Sequence, residues 1–177
     1  MEESVKGYLG IEYSIKKLKA MCPHKCYSVS DINSNKEIKA EIDRRREYYS
    51  AIYNSDIPKF EGENWVIIQG WEKYSASNYG RIKLTNANEI LKQYDEIGRY
   101  GYLKLDLDKD GVTHSEYVYT IIAWAFLGKG KIENNGKHVH HIDNNGYNCR
   151  PENLILVDSK QHSFIHGFDC ESKKDVL

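Results

Sequence analysis

Five of the chain's seven histidines lie between residues 138 and 166. The stretch opens as His138-Val-His140-His141-Ile-Asp143. A polar loop follows, then Asn153-Leu-Ile-Leu-Val157, then Asp158-Ser159-Lys-Gln-His162-Ser-Phe-Ile-His166-Gly167. An imidazole titrates near pH 6.5, so at neutral pH it offers a lone pair to a proton or to a metal ion. Residues 139–142 can form a strand, on which His140 and His141 face opposite sides. His162 and His166 stand at i and i+4 of a helix, on one face and one turn apart. That spacing lets two imidazoles meet one metal ion.

Three elements must hold these side chains. Residues 139–142 form the first strand, Gly146 and Pro151 punctuate the loop, and residues 154–157 return along the first as a buried strand. Asp158-Ser159 caps a helix that Gly167 ends. A ββα unit of this order can close over one metal. Ahead of it, residues 118–127 switch to helical spacing, with Val118, Ile121, Ile122, Ala125 and Phe126 on one face and Gly128 as a stop. Residues 61–118 read as short antiparallel strands, because apolar and polar residues alternate between recurring turns such as Lys109-Asp110-Gly111. Residues 1–60 read as helical. Ile11, Ile15 and Leu18 share a face up to Cys22-Pro23, and Ser34-x-x-Glu37 is a capping box for a second helix. That helix carries Ile38, Ile42, Tyr49, Ile52 and Tyr53 and ends before Pro58. Arg44, Arg45 and Arg46 interleave with Glu41, Asp43 and Glu47, which favours a solvated face over a phosphate-contacting one.

The expectation is an α+β protein: a helical N-terminal extension (1–60), a small antiparallel-sheet module with a linking helix (61–128) and a C-terminal ββα unit (129–177). Composition agrees with a packed core, at 40% apolar and 29% charged residues over 177 positions. With 25 basic and 26 acidic residues the net charge is −1. This weighs against a uniformly basic, non-specific nucleic-acid binder, so any grip on DNA must come from local placement. The longest apolar run, residues 121–127, is far short of the roughly 18 residues that span a bilayer, and residues 1–10 are polar. No membrane partner and a cytoplasmic setting are expected. Four cysteines are then expected as reduced thiols. Cys22 and Cys26 have the spacing of half a zinc site, but plain thiols are the favoured reading.

The segment from His138 to Gly167 resembles the HNH, or ββα-metal, nuclease motif; the Pro151-Glu-Asn153-Leu step and the closing His-x3-His fit it closely. Upstream, Asn64-Trp65, Gly70-Trp71 and Tyr74-x-x-Ser77-Asn78-x-Gly80-Arg81 resemble the modular DNA-binding motif that precedes HNH domains in phage and intron-encoded homing nucleases. The likeness runs from residue 63 to 167. It implies that His140 is the first metal ligand, His162 another and His166 a possible third. It implies that His141 is the general base and that Asn153 holds loop and base in place. One divalent ion would bind the scissile phosphate and assist the leaving oxygen. Many homing members carry Asp and Asn at the two ligand positions, which suits Mg²⁺; paired histidines suit Zn²⁺, Ni²⁺ or Mn²⁺ better. Tyr119-Thr120 stands where the linking helix of relatives usually carries His-Arg.

DNA is the expected partner. Arg81, Lys83 and Lys104 alternate with apolar neighbours and are expected on a wet sheet face turned to the backbone; Arg150 either touches phosphate or covers the loop. His114 and His138 read as ordinary strand residues, with a role behind the ligands as the alternative for His138 because it shares the face of His140; Asp143 reads as a turn former, and Trp65, Trp71 and Trp124 as core. Residues 1–60 are the candidate contact for a protein partner or a dimer. The implied function is metal-dependent hydrolysis of DNA phosphodiesters by a homing-type endonuclease. The alternative is a DNA-binding protein that keeps the fold with structural zinc and does not cleave.

Overall fold

Gly7 and Gly10 divide residues 4–14 into a hairpin, where helical spacing predicts a helix. β1 (Ser4–Lys6) pairs antiparallel with β2 (Glu12–Ser14), Val5 opposite Tyr13, around a one-turn 3-10 segment at Tyr8–Gly10. The structure is a computed structural model that describes residues 4–21, 34–87, 89–95, 101–128 and 137–166. The Cys22–Cys26 pair, Cys170 and the Gly167 helix stop lie outside those residues. α1 (Ile15–Met21) follows the hairpin directly.

α2 (Lys36–Tyr53) begins one residue later than the Ser34 box implies. Its cap is Asn35, whose Oδ1 accepts from the N–H groups of Glu37 at 3.0 Å and Ile38 at 3.2 Å. Arg44 and Arg45 both pair with Glu41, and Arg46 with Asp43, so this arginine run is a salt-bridged helix face. Ile42, Tyr49 and Ile52 lean on the main core, and Tyr53 is buried in it.

Two three-stranded antiparallel sheets come next. One is β3 (Trp65–Ile67), β4 (Tyr74–Ser77) and β5 (Ile82–Leu84); the other is β6 (Tyr94–Asp95), β7 (Leu103–Lys109) and β8 (Val112–Tyr117). Alternation in β7 turns Leu103, Leu105 and Leu107 inward. The Asp110-Gly111 step, with φ of 53° and 79°, makes the tight turn into β8. Gly80 has φ 82°, and a Cβ there would meet the Tyr53 ring at 2.7 Å, so glycine is required twice over. α3 (Val118–Phe126) buries Val118, Ile121, Ile122, Ala123 and Trp124 in the core that both sheets share.

Arg81 needs correction. It is fully buried, not on a wet face. It precedes β5, in the turn after Gly80, so strand alternation does not govern it. Its Nε and Nη2 donate to the Glu63 carboxylate at 2.8 and 2.5 Å, its Nη1 donates to the carbonyls of Ser55 and Ile57, and its guanidinium lies over the Phe60 ring. A guanidinium engaged this fully is a structural tie between residues 55–63 and β5, with no face left for DNA.

The C-terminal unit is β9 (Lys137–His141) antiparallel to β10 (Leu154–Asp158), followed by α4 (Ser159–Ile165). Leu154 looks into the main core. Ile155 and Val157 look the other way, into a second core with Ile15, Leu18, Ile142 and Ile165, against which Val5 and Tyr13 pack. Gly7 adds a single antiparallel bridge to Ile155. Residues 4–21 therefore complete the ββα unit. The boundary expected near residue 60 is crossed a second time by Tyr53, whose hydroxyl donates to Tyr147 O at 2.7 Å and accepts from Cys149 N–H at 2.9 Å. Among the described residues no helix is long and apolar enough to cross a membrane.

Candidate metal centre

β9 turns His140 and His141 to opposite sides. His140 faces α4, which Asp158 caps: its side chain accepts from Gln161 N–H at 2.8 Å while Gln161 Oε1 accepts from Asp158 N–H at 2.9 Å. This box fixes the start of the helix, and with it the register that aims His162 and His166 at β9. One potential ligand atom from each of His140, His162 and His166 lies within 4.8 Å of the other two. His140 Nδ1 and His166 Nε2 are 3.2 Å apart. Zinc–nitrogen bonds of 2.0–2.1 Å at a tetrahedral angle place ligand nitrogens roughly 3.3 Å apart. The donor set fits a divalent ion of the borderline-soft class.

The electrostatics agree. Burial, then the neighbouring His166, His162 and His141, push His140 down to about 3. Burial, then His166 and His138, push His162 down to about 4, and burial lowers His166. All three are neutral at physiological pH, which is the ligating form. His140 Nδ1 is the nitrogen that faces His166, and His140 Nε2, on the other side of the ring, is buried without a hydrogen-bond partner.

His141 lies on the other side of the strand, between Tyr119 of α3 (ring centroids 5.2 Å apart, edge to face) and Tyr102 (6.1 Å). Its Nε2 is likewise buried and unpartnered. The expectation of an unperturbed imidazole is corrected here. Burial lowers His141 to about 4, although the Asp143 carboxylate pulls the other way. The phenol of Tyr119 is itself pushed up to about 12, chiefly by burial.

Asn153, at the head of β10, is the clasp of the loop. Its Oδ1 accepts from Asp143 N–H at 3.0 Å, and its Nδ2 donates to Asp143 Oδ1 at 2.8 Å and to Asn148 O at 2.9 Å. Its own backbone carbonyl accepts from Ile142 N–H at 2.8 Å, one residue from His141. Asp143 also takes Asn145 N–H and Asn148 Nδ2, which is turn chemistry.

The remaining expected contacts are scattered. Lys83 lies over the Trp65 ring, Lys104 over Tyr117 and Arg150 over Tyr79, each about half-buried and each leaning on a different aromatic ring. His138, read as a strand residue on the face of His140, lies alongside His162 with centroids 5.2 Å apart and planes 9° apart. One feature escaped the sequence reading: Tyr102 packs at His141, and no local pattern joins the two, because they meet only through the tertiary fold. His114 packs edge-on against Trp71. Trp71 and Trp124 are core, and Trp65 is half-buried.

Comparison with known proteins follows the same division. Residues 121–164 match the HNH endonuclease family, and residues 63–111 match the NUMOD4 motif. An uncharacterized HNH endonuclease, L247, of Acanthamoeba polyphaga mimivirus is 32% identical over 123 residues, covering 66% of this chain and 30% of that protein. The H-N-H endonuclease F-TflII of Escherichia phage T5 is 26% identical over 100 residues, covering 56% of this chain and 50% of that protein. The chain thus spans half or less of the length of these two relatives. A solved structure described as DNA binding and cleavage by the HNH homing endonuclease I-HmuI aligns with a TM-score of 0.48 and 26% identity, covering 62% of this chain and 63% of that one.

Proposed function

We propose that this chain, an HNH endonuclease with a NUMOD4 motif ahead of its nuclease unit, hydrolyses DNA phosphodiester bonds with the help of one divalent ion. The observation that carries the reading is the three-imidazole cluster of His140, His162 and His166, with a second kind of imidazole, the secluded His141, on the next residue of the same strand. A purely structural site has no use for that neighbour, which supports an enzyme over a non-cleaving DNA binder. When bound, the ion supplies charge stabilisation at the scissile phosphate. His141 takes a proton from the attacking water at Nε2, the nitrogen that no protein group occupies. Burial keeps it unprotonated at neutral pH. Asn153 keeps the loop, and through it the end of β9, in place. Lys83, Lys104 and Arg150 are the basic groups assigned to the DNA backbone, and Arg81 is not among them. The two viral relatives support a place among phage-borne or mobile nucleases.

The test is nicking of supercoiled plasmid by purified protein, scanned over Mg²⁺, Mn²⁺, Ni²⁺, Zn²⁺ and EDTA, with His141→Ala alongside. The expected result is metal-dependent nicking that falls by about 10²–10⁴-fold in the variant while its metal content is kept. Cleavage by His141→Ala at the wild-type rate would remove the base assignment. DNA binding without cleavage in every metal would favour the structural-zinc alternative. One such cluster exists among the described residues, so a monomer is expected to leave an open-circle product; direct linearisation would indicate a dimer.

A further inference from the structure

The His140–His162–His166 cluster has a fourth ring that does not belong to it. His138 sits two residues before His140 on the same face of β9, opposite Val157 of β10. Its ring runs nearly parallel to that of His162, with centroids 5.2 Å apart, and its Nε2 is 3.0 Å from the hydroxyl of Ser159, the first residue of α4. The other ring contacts in the cluster are edge-on. His162 meets His166 at 73° and His140 at 77°, and His140 meets His166 at 70°.

The difference decides what each ring can do. An imidazole's lone pair lies in its ring plane, so rings that share an ion must aim their edges at one point. His138 and His162 are within 9° of parallel, His138 Nε2 faces the Ser159 hydroxyl, and no nitrogen of His138 joins the three whose ligand atoms lie within 4.8 Å of one another. His138 is not a fourth ligand in this arrangement; it is a wall. His162 needs one, because it is only half-buried on a seven-residue helix and its ring turns about two side-chain bonds. A flat ring clamped to Ser159 removes that freedom on one side, while His166 and His140 flank the others.

We propose that His138 is a positioning residue for the metal centre: it orients the His162 imidazole by packing alongside it, ring planes nearly parallel, and thereby sets the affinity of the ion. This rests on the metal-centre reading above. Side chains that orient ligands change metal affinity by about 10–100-fold when removed.

The experiment is titration of the apo full-length protein with Co²⁺, read by its visible absorption, and with Zn²⁺ in competition with a chelator. Wild type, His138→Ala, His138→Phe and His162→Ala are compared, and thermal melting of each apo variant checks the fold. Wild type should bind one ion and His162→Ala should lose it or bind with an altered spectrum. His138→Ala should keep the wild-type Co²⁺ spectrum but bind about 10-fold or more weakly. His138→Phe, which keeps the flat face and loses the Ser159 contact, should recover most of that loss. Wild-type affinity in His138→Ala overturns the proposal. So does a His138→Ala spectrum showing loss of a nitrogen, since His138 would then be a ligand. Failure of the wild type to bind an ion overturns the metal centre itself, a result distinct from either.

Discussion

A histidine's task here is set by which side of one strand it leaves. His140 and His141 are neighbours, both are buried, and both are held neutral, yet one meets two other imidazoles and the other meets two tyrosines. The loop that follows them hangs on one amide. Asn153 makes three side-chain hydrogen bonds to Asp143 and Asn148, and each partner is a polar group that folding has taken partly out of water. Replacing Asn153 by Ala deletes these bonds and leaves the Asp143 N–H and the Asn148 carbonyl unpaired. A loss of about 2–4 kcal/mol is expected from bonds of about 1 kcal/mol each plus desolvated remnants. The variant should unfold at lower urea and cut DNA more slowly, because the end of β9 is no longer pinned. An Asn153→Ala protein with wild-type stability and cleavage would mean the loop is held by its Asx turn alone.

At the scale of elements, the N-terminal hairpin and α1 serve as the outer wall of the ββα unit. Leu18, 1% exposed, sits against Ile155, Val157 and Ile165. Leu18→Ala is expected to cost about 2–5 kcal/mol as a core truncation, measured by urea denaturation; a free docking arm would show almost no change. The sequence hid this wall for a physical reason. Ile11, Ile15 and Leu18 fit a helical face, but only Ile15 and Leu18 are on one, and two glycines with a long-range bridge to Ile155 make the rest a hairpin. The ββα unit and α3 were legible because their capping, periodicity and turn residues are local. Arg81 was misread because its partner Glu63 stands 18 residues upstream, where no spacing rule looks. That pair has a pH signature. Burial alone raises Glu63, but hydrogen bonds from Arg81, the Phe60 N–H and Ser77 outweigh it and hold the carboxyl below its ordinary value. A depressed carboxylate contributes stability above the unfolded value of about 4.3 and loses it as pH falls through the lower folded value. Glu63→Gln, which strands a buried guanidinium, should lose about 3–5 kcal/mol at pH 7. Its stability should also vary less than the wild type's between pH 5 and 3. Parallel pH curves for the two proteins would show that Glu63 does not set this limb.

At the scale of the whole molecule, the proposed function requires a chain of net charge −1 to hold a polyanion. The histidine cluster is neutral until an ion enters it, so positive charge at the centre depends on metal, and the rest must come from single lysines and arginines. Part of the basic complement is already committed. Arg81 is buried on Glu63, Arg44 and Arg45 pair with Glu41, Arg46 with Asp43, and Lys92 with Asp56. Lys83, Lys104 and Arg150 lie over aromatic rings, which hold a cation in place, and Arg150 also stands 3.9 Å from the Glu152 carboxylate. Each phosphate contact on duplex DNA adds about 0.9 to the slope of log affinity against log salt. The expectation is therefore a shallow slope for the wild type, reduced by about 0.9 in each of Lys83→Ala, Lys104→Ala and Arg150→Ala when that side chain meets a phosphate. The measurement is fluorescence anisotropy of a labelled duplex from about 50 to 200 mM salt, with Ca²⁺ present to hold back cleavage. A variant with the wild-type slope takes its residue off the interface. Three unchanged slopes would move the interface away from these side chains altogether and leave the metal-loaded histidine cluster as the main attachment to DNA.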